Sequence, residues 1–266
     1  MEIRIVLLTN HRLNTDEMAK KVYNLLCSYN ETMPTHFDQW EPIKIVFPNN
    51  QKEFINLWCF RKKGDLILWK RKKSLKFGGH VNFKNSYGFN ELLWTIELKK
   101  TDTIQKIKPF INNIINFFAI NQFLFGFICS TEEYYLNNIL KNTPFYFNNK
   151  GEKIYHPPGY VSPILPVGLD LRKHIPGLYW ITLFGKIYVD WFGKEKMKTA
   201  PAYKVFELPN DAIGYQLYED PAQYQEEESQ ETARRVKQYL GEKAFFDISD
   251  IDRETIAPYI DVSEIR

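Results

Sequence analysis

Along this chain, apolar residues alternate with polar ones in some stretches and recur at helical spacing in others. Residues 2–8, EIRIVLL, form a strand-like run. Asn14 then opens a helix, Glu17 completes a capping box three residues on, and Met18, Val22, Leu25, Leu26 and Tyr29 share one stripe. Asn49 or Asn50 caps a second predicted helix through Phe54, Leu57 and Trp58. DLILWKRKK and HVNFK read as strands of a meander turned at Gly78-Gly79. The clearest strand is ELLWTIELK (91–99), with Leu92, Trp94, Ile96 and Leu98 on one face. From Thr101 or Asp102 a long helix turns Ile104, Ile107, Ile111, Ile114, Ile115 and Phe118 inward, with a kink expected at Pro109. The buried strand FLFGFIC follows, and Ser130 with Glu133 starts a helix running through Leu136, Ile139 and Leu140.

This order predicts an α+β fold, mainly antiparallel sheet with flanking helices, rather than a doubly wound parallel one. Two packed halves are expected, 1–142 and 143–266, with one continuous domain as the alternative. Residues 143–176 are turn-rich, a Pro-rich crossing whose Tyr155, Tyr160, Val161, Ile164 and Leu165 are expected to need cover. LYWITLF and IYVDWF read as strands separated by Gly185-Lys186, and Glu195 to Lys198 as a short helical turn. Two further strands, 202–208 and 212–217, are joined at Pro209-Asn210-Asp211. A helix over 229–240 takes Ser229 as its N-cap, which leaves Glu226, Glu227 and Glu228 as exposed charges away from the cap.

Composition changes this picture little. The 266 residues carry 44% hydrophobic and 25% charged side chains, ordinary for a folded protein long enough to bury a large core. The N-terminus has no basic run ahead of its short apolar stretch, and no run of about 18 apolar residues occurs, so a cytoplasmic protein without a membrane span is expected. Cys27, Cys59 and Cys129 sit in apolar settings and read as buried free thiols of a reducing compartment.

Charge matters more. The net charge is +3, yet residues 61–84 hold nine bases (Arg61, Lys62, Lys63, Lys70, Arg71, Lys72, Lys73, Lys76 and Lys84) against Asp65 alone, a local +8. From Glu219 onward thirteen acids face six bases, a local −7. Such asymmetry fits either a face that meets a partner of opposite sign or two solvated faces that attract each other.

No catalytic constellation stands out. Five histidines are scattered without metal-ligand spacing, so neither metal nor cofactor is expected. Cys129 lies at a helix start but within an apolar strand, and reads as structural. KFGGH lacks the frame of a phosphate loop. Asp190, Glu195 and Lys196 invite comparison with metal-dependent nucleases, but the spacing is short and Asp190 alternates with Val189 and Trp191 as an outward strand residue. The basic segment, interleaved with Trp69 and Phe77, suggests nucleic-acid binding through Arg61, Lys62, Lys63, Lys70, Arg71, Lys72 and Lys73; a lysine-rich strand also prevents edge pairing.

The densest stretch is GLYWITLFGKIYVDWFGKEKMKTAPAY (177–203), with seven aromatics and three glycines. Together with FDQW (37–40), YGFNELLW (87–94) and the tail AFFDI…APYIDVSEIR, it resembles bacterial immunity proteins of the immunity protein 52 type, from polymorphic toxin systems. The matching positions are Gly177, Tyr179, Trp180, Phe184, Gly185, Tyr188, Gly193 and Pro201; the lysine-rich region at 61–76 and Ile181 and Leu183 depart from the pattern. The resemblance implies a non-enzymatic α+β protein that binds and silences a cognate toxin, often a nuclease. The aromatic positions would then be structural. Asp190, Glu195, Glu219, Asp220, Glu226, Glu227 and Glu228 would be candidates for contact with a basic toxin cleft. A nucleic-acid-binding module using residues 61–84 is the alternative.

Overall fold

The computed structural model describes residues 1–60, 65–72, 75–85, 87–99, 101–148 and 152–263, with Pro163 in its main chain only. The N-terminal part supplies β1 (Glu2–Thr9), α1 (Asp16–Cys27), β2 (His36–Asp38), β3 (Ile45–Val46), α2 (Gln51–Cys59), β4 (Leu66–Arg71), β5 (Lys76–Asn82), β6 (Asn90–Glu97) and α3 (Lys108–Ile120). There follow β7 (Phe125–Ser130), α4 (Thr131–Asn138), β8 (Ile139–Thr143), β9 (Phe145–Phe147), β10 (Lys153–Tyr155) and β11 (Ser162–Pro166). The chain ends with β12 (Ile181–Phe184), α5 (Lys186–Phe192), α6 (Lys194–Lys198), β13 (Lys204–Leu208), β14 (Ala212–Gln216) and α7 (Glu227–Leu240).

Ten strands form one sheet in the order β13-β14-β12-β7-β1-β6-β5-β4-β2-β3. Every pairing within it is antiparallel, so the fold is α+β. Strands from before and after residue 142 share this sheet, joined where β12 pairs with β7. Two small two-stranded sheets, β8–β11 and β9–β10, stand apart from it.

Alternation along the strands divides the core into two layers. On one face Phe77 meets Phe110 of α3 with ring centroids 5.5 Å apart. Tyr23 of α1, Phe54 of α2, Phe37 and Phe47 close the same layer at centroid distances of 4.6–6.0 Å. On the other face Phe127 stacks with Tyr134 of α4 and Phe125 meets Tyr188 of α5. Helices thus cover both faces of an antiparallel sheet.

Several local expectations are corrected. Thr15, not Asn14, caps α1, its side chain accepting from the Met18 N–H. Gly78 and Gly79 lie inside β5 rather than at a turn, because a side chain at residue 79 would strike the Leu93 carbonyl at 2.2 Å and the Trp69 indole at 2.6 Å. Trp69 and Trp94 flank that glycine in the ladder, their rings 5.9 Å apart. Pro109 does not kink a helix; it sits in the first turn of α3, where its missing N–H costs nothing. Ile139 and Leu140 belong to β8, since α4 ends at Asn138. Cys27 is exposed and Cys59 half-buried, so only Cys129 is a buried thiol.

Candidate partner-binding surface

The aromatic block at 177–192 is core. Tyr179 stacks on Phe127 at 4.2 Å, and its hydroxyl accepts from Asn138 Nδ2 at 2.6 Å. Phe184 packs between Phe125 and Tyr215. Tyr188 is fully buried, and its hydroxyl has no hydrogen-bond partner among the described residues. Trp180 is only 5% exposed, and its indole N–H donates to the Tyr218 and Glu219 carbonyls at 3.0 and 3.3 Å. Gly177 and Gly185 are buried within the block, Gly193 joins α5 to α6, and Pro201 is exposed. The expected second strand, IYVDWF, is instead helix α5, with Gly185 as its N-cap. The helix places Asp190 one turn from Lys186, at 2.9 Å, which is an i,i+4 pair and not an outward strand position.

That helical turn decides the fate of the nuclease-like residues. Asp190 and Glu195 belong to a ladder of exposed ion pairs on α5, α6 and β13. It comprises Lys186–Asp190, Lys194–Asp211 at 2.8 Å, Lys198–Glu195 at 3.5 Å and Lys198–Glu207 at 3.4 Å. Among the described residues no three His, Cys, Asp or Glu side chains converge as a metal site.

The acidic residues from 219 onward sit elsewhere, on a rigid frame. Trp180 fixes the main chain at Tyr218 and Glu219, while the Glu219 side chain stays exposed. Asp220 caps a 3-10 turn over Pro221–Gln225, accepting from Ala222 N–H at 2.9 Å while Gln223 Oε1 accepts from its own N–H. Glu226, and not Ser229, is the N-cap of α7; Glu227 and Glu228 fill its first turn, and Ser229 is buried. The three glutamates therefore face the positive end of a helix dipole as well as solvent.

Beneath this frame lies a buried acid. Burial pushes Glu133 up to about 8, against smaller opposing effects of the Tyr218 hydroxyl and the Trp180 and Ser130 main chain. The Glu133 carboxyl and the Tyr218 hydroxyl face one another in this buried setting.

Two clefts adjoin these elements. One, of about 420 Å³, runs between α3 and the β14–β13 end of the sheet, lined by Lys108, Ile115, Trp180, Lys204, Phe206 and Glu219 among others. The larger, about 740 Å³, lies between Tyr87, Phe147 and Lys153 on one side and Asp170, Arg172 and His174 on the other. Two pairs of its charges are matched, Arg172 with Asp170 at 2.7 Å and Lys153 with Asp252 at 2.9 Å, while Lys173 has no ion pair among the described residues; burial holds His174 neutral with its pKa lowered to about 4.

Three bases of the 61–84 segment are engaged within the fold. Arg71 donates to the Asn30 and Met33 carbonyls, Lys72 to the Ile43 carbonyl, and Lys76 pairs with Glu97. Lys70 is exposed on β4, while Arg61, Lys62, Lys63 and Lys73 lie outside the described residues.

Two features of the surface escape a reading of the sequence. Tyr155, Tyr160, Val161 and Ile164, expected to be covered, are 47–67% exposed on β10, β11 and the connection between them, where Tyr146 and Tyr160 flank His156. Strand β13 is a free edge of the large sheet. The first leaves a signal in the low charge of the segment; the second leaves none, because strand pairing is non-local.

No family model matches this sequence, and no curated protein matches it. Among solved structures it is similar to one described as Pseudomonas aeruginosa T6SS protein PA0821, at 12% identity and a TM-score of 0.48, over 98% of this chain and 90% of that one. Among the described residues no helix is long and apolar enough to cross a membrane.

Proposed function

We propose that this protein is a stoichiometric inhibitor that binds a cognate bacterial toxin, a nuclease with a basic substrate cleft, and acts in the cytoplasm by occupation rather than catalysis. The observation that carries the reading is the fixed display of Glu219, Asp220, Glu226, Glu227 and Glu228. Trp180, a capping box and a helix N-terminus hold their main chain, so little ordering entropy is lost when a basic partner docks. Carboxylates held in this way compete with phosphates and steer association. The resemblance of the 177–203 block to immunity proteins points the same way. The engagement of Arg71, Lys72 and Lys76 within the fold weighs against a nucleic-acid module built on the basic segment.

Co-expression with the product of the neighbouring gene tests this. A 1:1 complex on copurification, together with rescue of growth, is expected. Neither complex nor rescue would sink the proposal.

A further inference from the structure

The two edges of the ten-stranded sheet are unlike. At one end β3 is two residues long, too short to template another strand. At the other, β13 is five residues, KVFEL, without proline or bulge, and three of the five are apolar and half-buried.

The direction of its main chain follows from one bond. Leu217 N–H donates to the Trp180 carbonyl, continuing the β12–β14 pairing in which Ile181 faces Gln216. Odd-numbered residues of β14 therefore bond towards β12, and even-numbered ones towards β13. Lys204, Phe206 and Leu208, which face Gln216, Gly214 and Ala212, use their N–H and C=O groups within that ladder. The main-chain groups of Val205 and Glu207 point out of the sheet. No main-chain or side-chain group of the described residues bonds to them. Four strong hydrogen-bonding groups thus stand in a row at extended spacing, and only another extended chain matches that row.

The side chains beside the edge describe the chain that fits. Phe206 lies on the face turned to the 420 Å³ cleft, its ring folded over Gly214, where a Cβ would meet it at 2.2 Å. Lys108 and Lys204 line the same cleft together with Glu219, and among the described residues neither lysine has an ion-pair partner. On the opposite face Glu207 is engaged by Lys198 at 3.4 Å. We infer that the β13 edge captures an extended strand of the partner protein, paired to Val205 and Glu207, with an apolar side chain over Phe206 and a carboxylate towards Lys204 and Lys108. A second copy is a poorer occupant: antiparallel self-pairing through these groups sets Val205 opposite Glu207, an apolar residue against a charge.

This inference rests on the reading of the protein as a toxin binder, and its test separates the two. The probe is the full chain co-expressed with the toxin domain encoded beside it. Amide exchange read residue by residue should show the Val205 and Glu207 N–H groups unprotected in the free protein and slowed at least about a hundredfold in the complex. Val205→Pro removes one outward N–H and leaves the β13–β14 ladder intact. It should weaken binding about tenfold or more relative to Val205→Ala, which keeps the N–H and should bind within about threefold of the parent.

A complex in which both amides exchange as fast as in the free protein, with the two variants binding alike, overturns the inference and leaves the inhibitor reading intact. Protection of these amides in the protein alone, growing with concentration, assigns the edge to a second copy and also overturns it. If no complex forms, both readings fall together. Should Val205→Pro not fold, the exchange measurement on the unaltered chain decides alone.

Discussion

The block at 177–192 and the segment at 218–228 meet at Trp180, whose indole N–H donates to Tyr218 and Glu219, and are otherwise opposites. In the first, the aromatic side chains of Tyr179, Trp180, Phe184 and Tyr188 are buried, Tyr179 stacks on Phe127, and Tyr179 and Trp180 are hydrogen-bonded within the fold. In the second, carboxylates stand in water while their main chain is held by a cap, a 3-10 turn and an indole N–H. A dense aromatic motif here records what the core needs. The charged stretch beside it carries two duties at once, helix capping and surface display, and its variants must be read for both.

The sharpest break between the two is Trp180→Ala. It removes a buried indole and two carbonyl contacts, and should cost roughly 3–5 kcal/mol, read as a shift in the denaturant midpoint. Partner binding should weaken too, because Tyr218 and Glu219 lose their anchor. An unfolding free energy within about 1 kcal/mol of the parent would refute the core assignment.

The buried acid below them gives the next effect. Glu133 has a folded pKa raised to about 8, above an unfolded value near 4.5, so the native state holds a proton that the unfolded state releases. Its contribution is complete below about pH 4.5, is lost as pH rises through the window to about 8, and is flat above. His174, lowered to about 4 by burial, acts in the opposite sense, removing stability as pH falls below its unfolded value near 6.5. The difference between parent and Glu133→Gln isolates the acid. The variant should gain on the parent by at least about 1 kcal/mol between pH 5 and 8, since one pKa unit is worth about 1.4 kcal/mol. Parallel stability curves across that window would show Glu133 ionised in the fold.

A reversal of Glu226, Glu227 and Glu228 to Lys separates the two duties of the segment. Because these residues cap and fill the first turn of α7, the change should lower stability by roughly 1–2 kcal/mol at low salt, about 0.3–1 kcal/mol per residue near a helix end. It should also slow association with the toxin. Unchanged stability would place them outside the helix, as Ser229 capping implies.

That difference shows where the sequence was legible. β6 was readable because it alternates from Leu92 onward, and α1 and α2 because their helical periodicity coincides with burial; β13 and β14 do not alternate strictly and were legible as short runs on either side of Pro209-Asn210-Asp211. IYVDWF misled because β-branched and aromatic residues dominate it. Only Lys186 and Asp190, four apart, hinted at a helix. Gly78-Gly79 looked like a turn because the groups that need the empty space at Gly79, the Trp69 indole and the Leu93 carbonyl, lie ten and fourteen residues away along the chain. The acidic segment could be read as charge, but not as caps or as a frame held by Trp180. The free edge of β13 depends on which strand ends the sheet, which no local window contains.

The smallest stability effect is the most useful for binding. The Glu219 carbonyl is held by Trp180 and Gln216, but its side chain is exposed and makes no ion pair or hydrogen bond among the described residues. Glu219→Lys therefore leaves capping and core untouched, and stability should move by less than about 0.5 kcal/mol. If the segment faces a basic cleft, the reversed charge slows encounter several-fold at low salt. The difference should shrink as ionic strength approaches about 0.5 M, where the Debye length is only a few ångströms. Stopped-flow association with the toxin across a salt series reads this directly. A rate equal to the parent's at the lowest salt would remove Glu219 from the electrostatic steering of the partner.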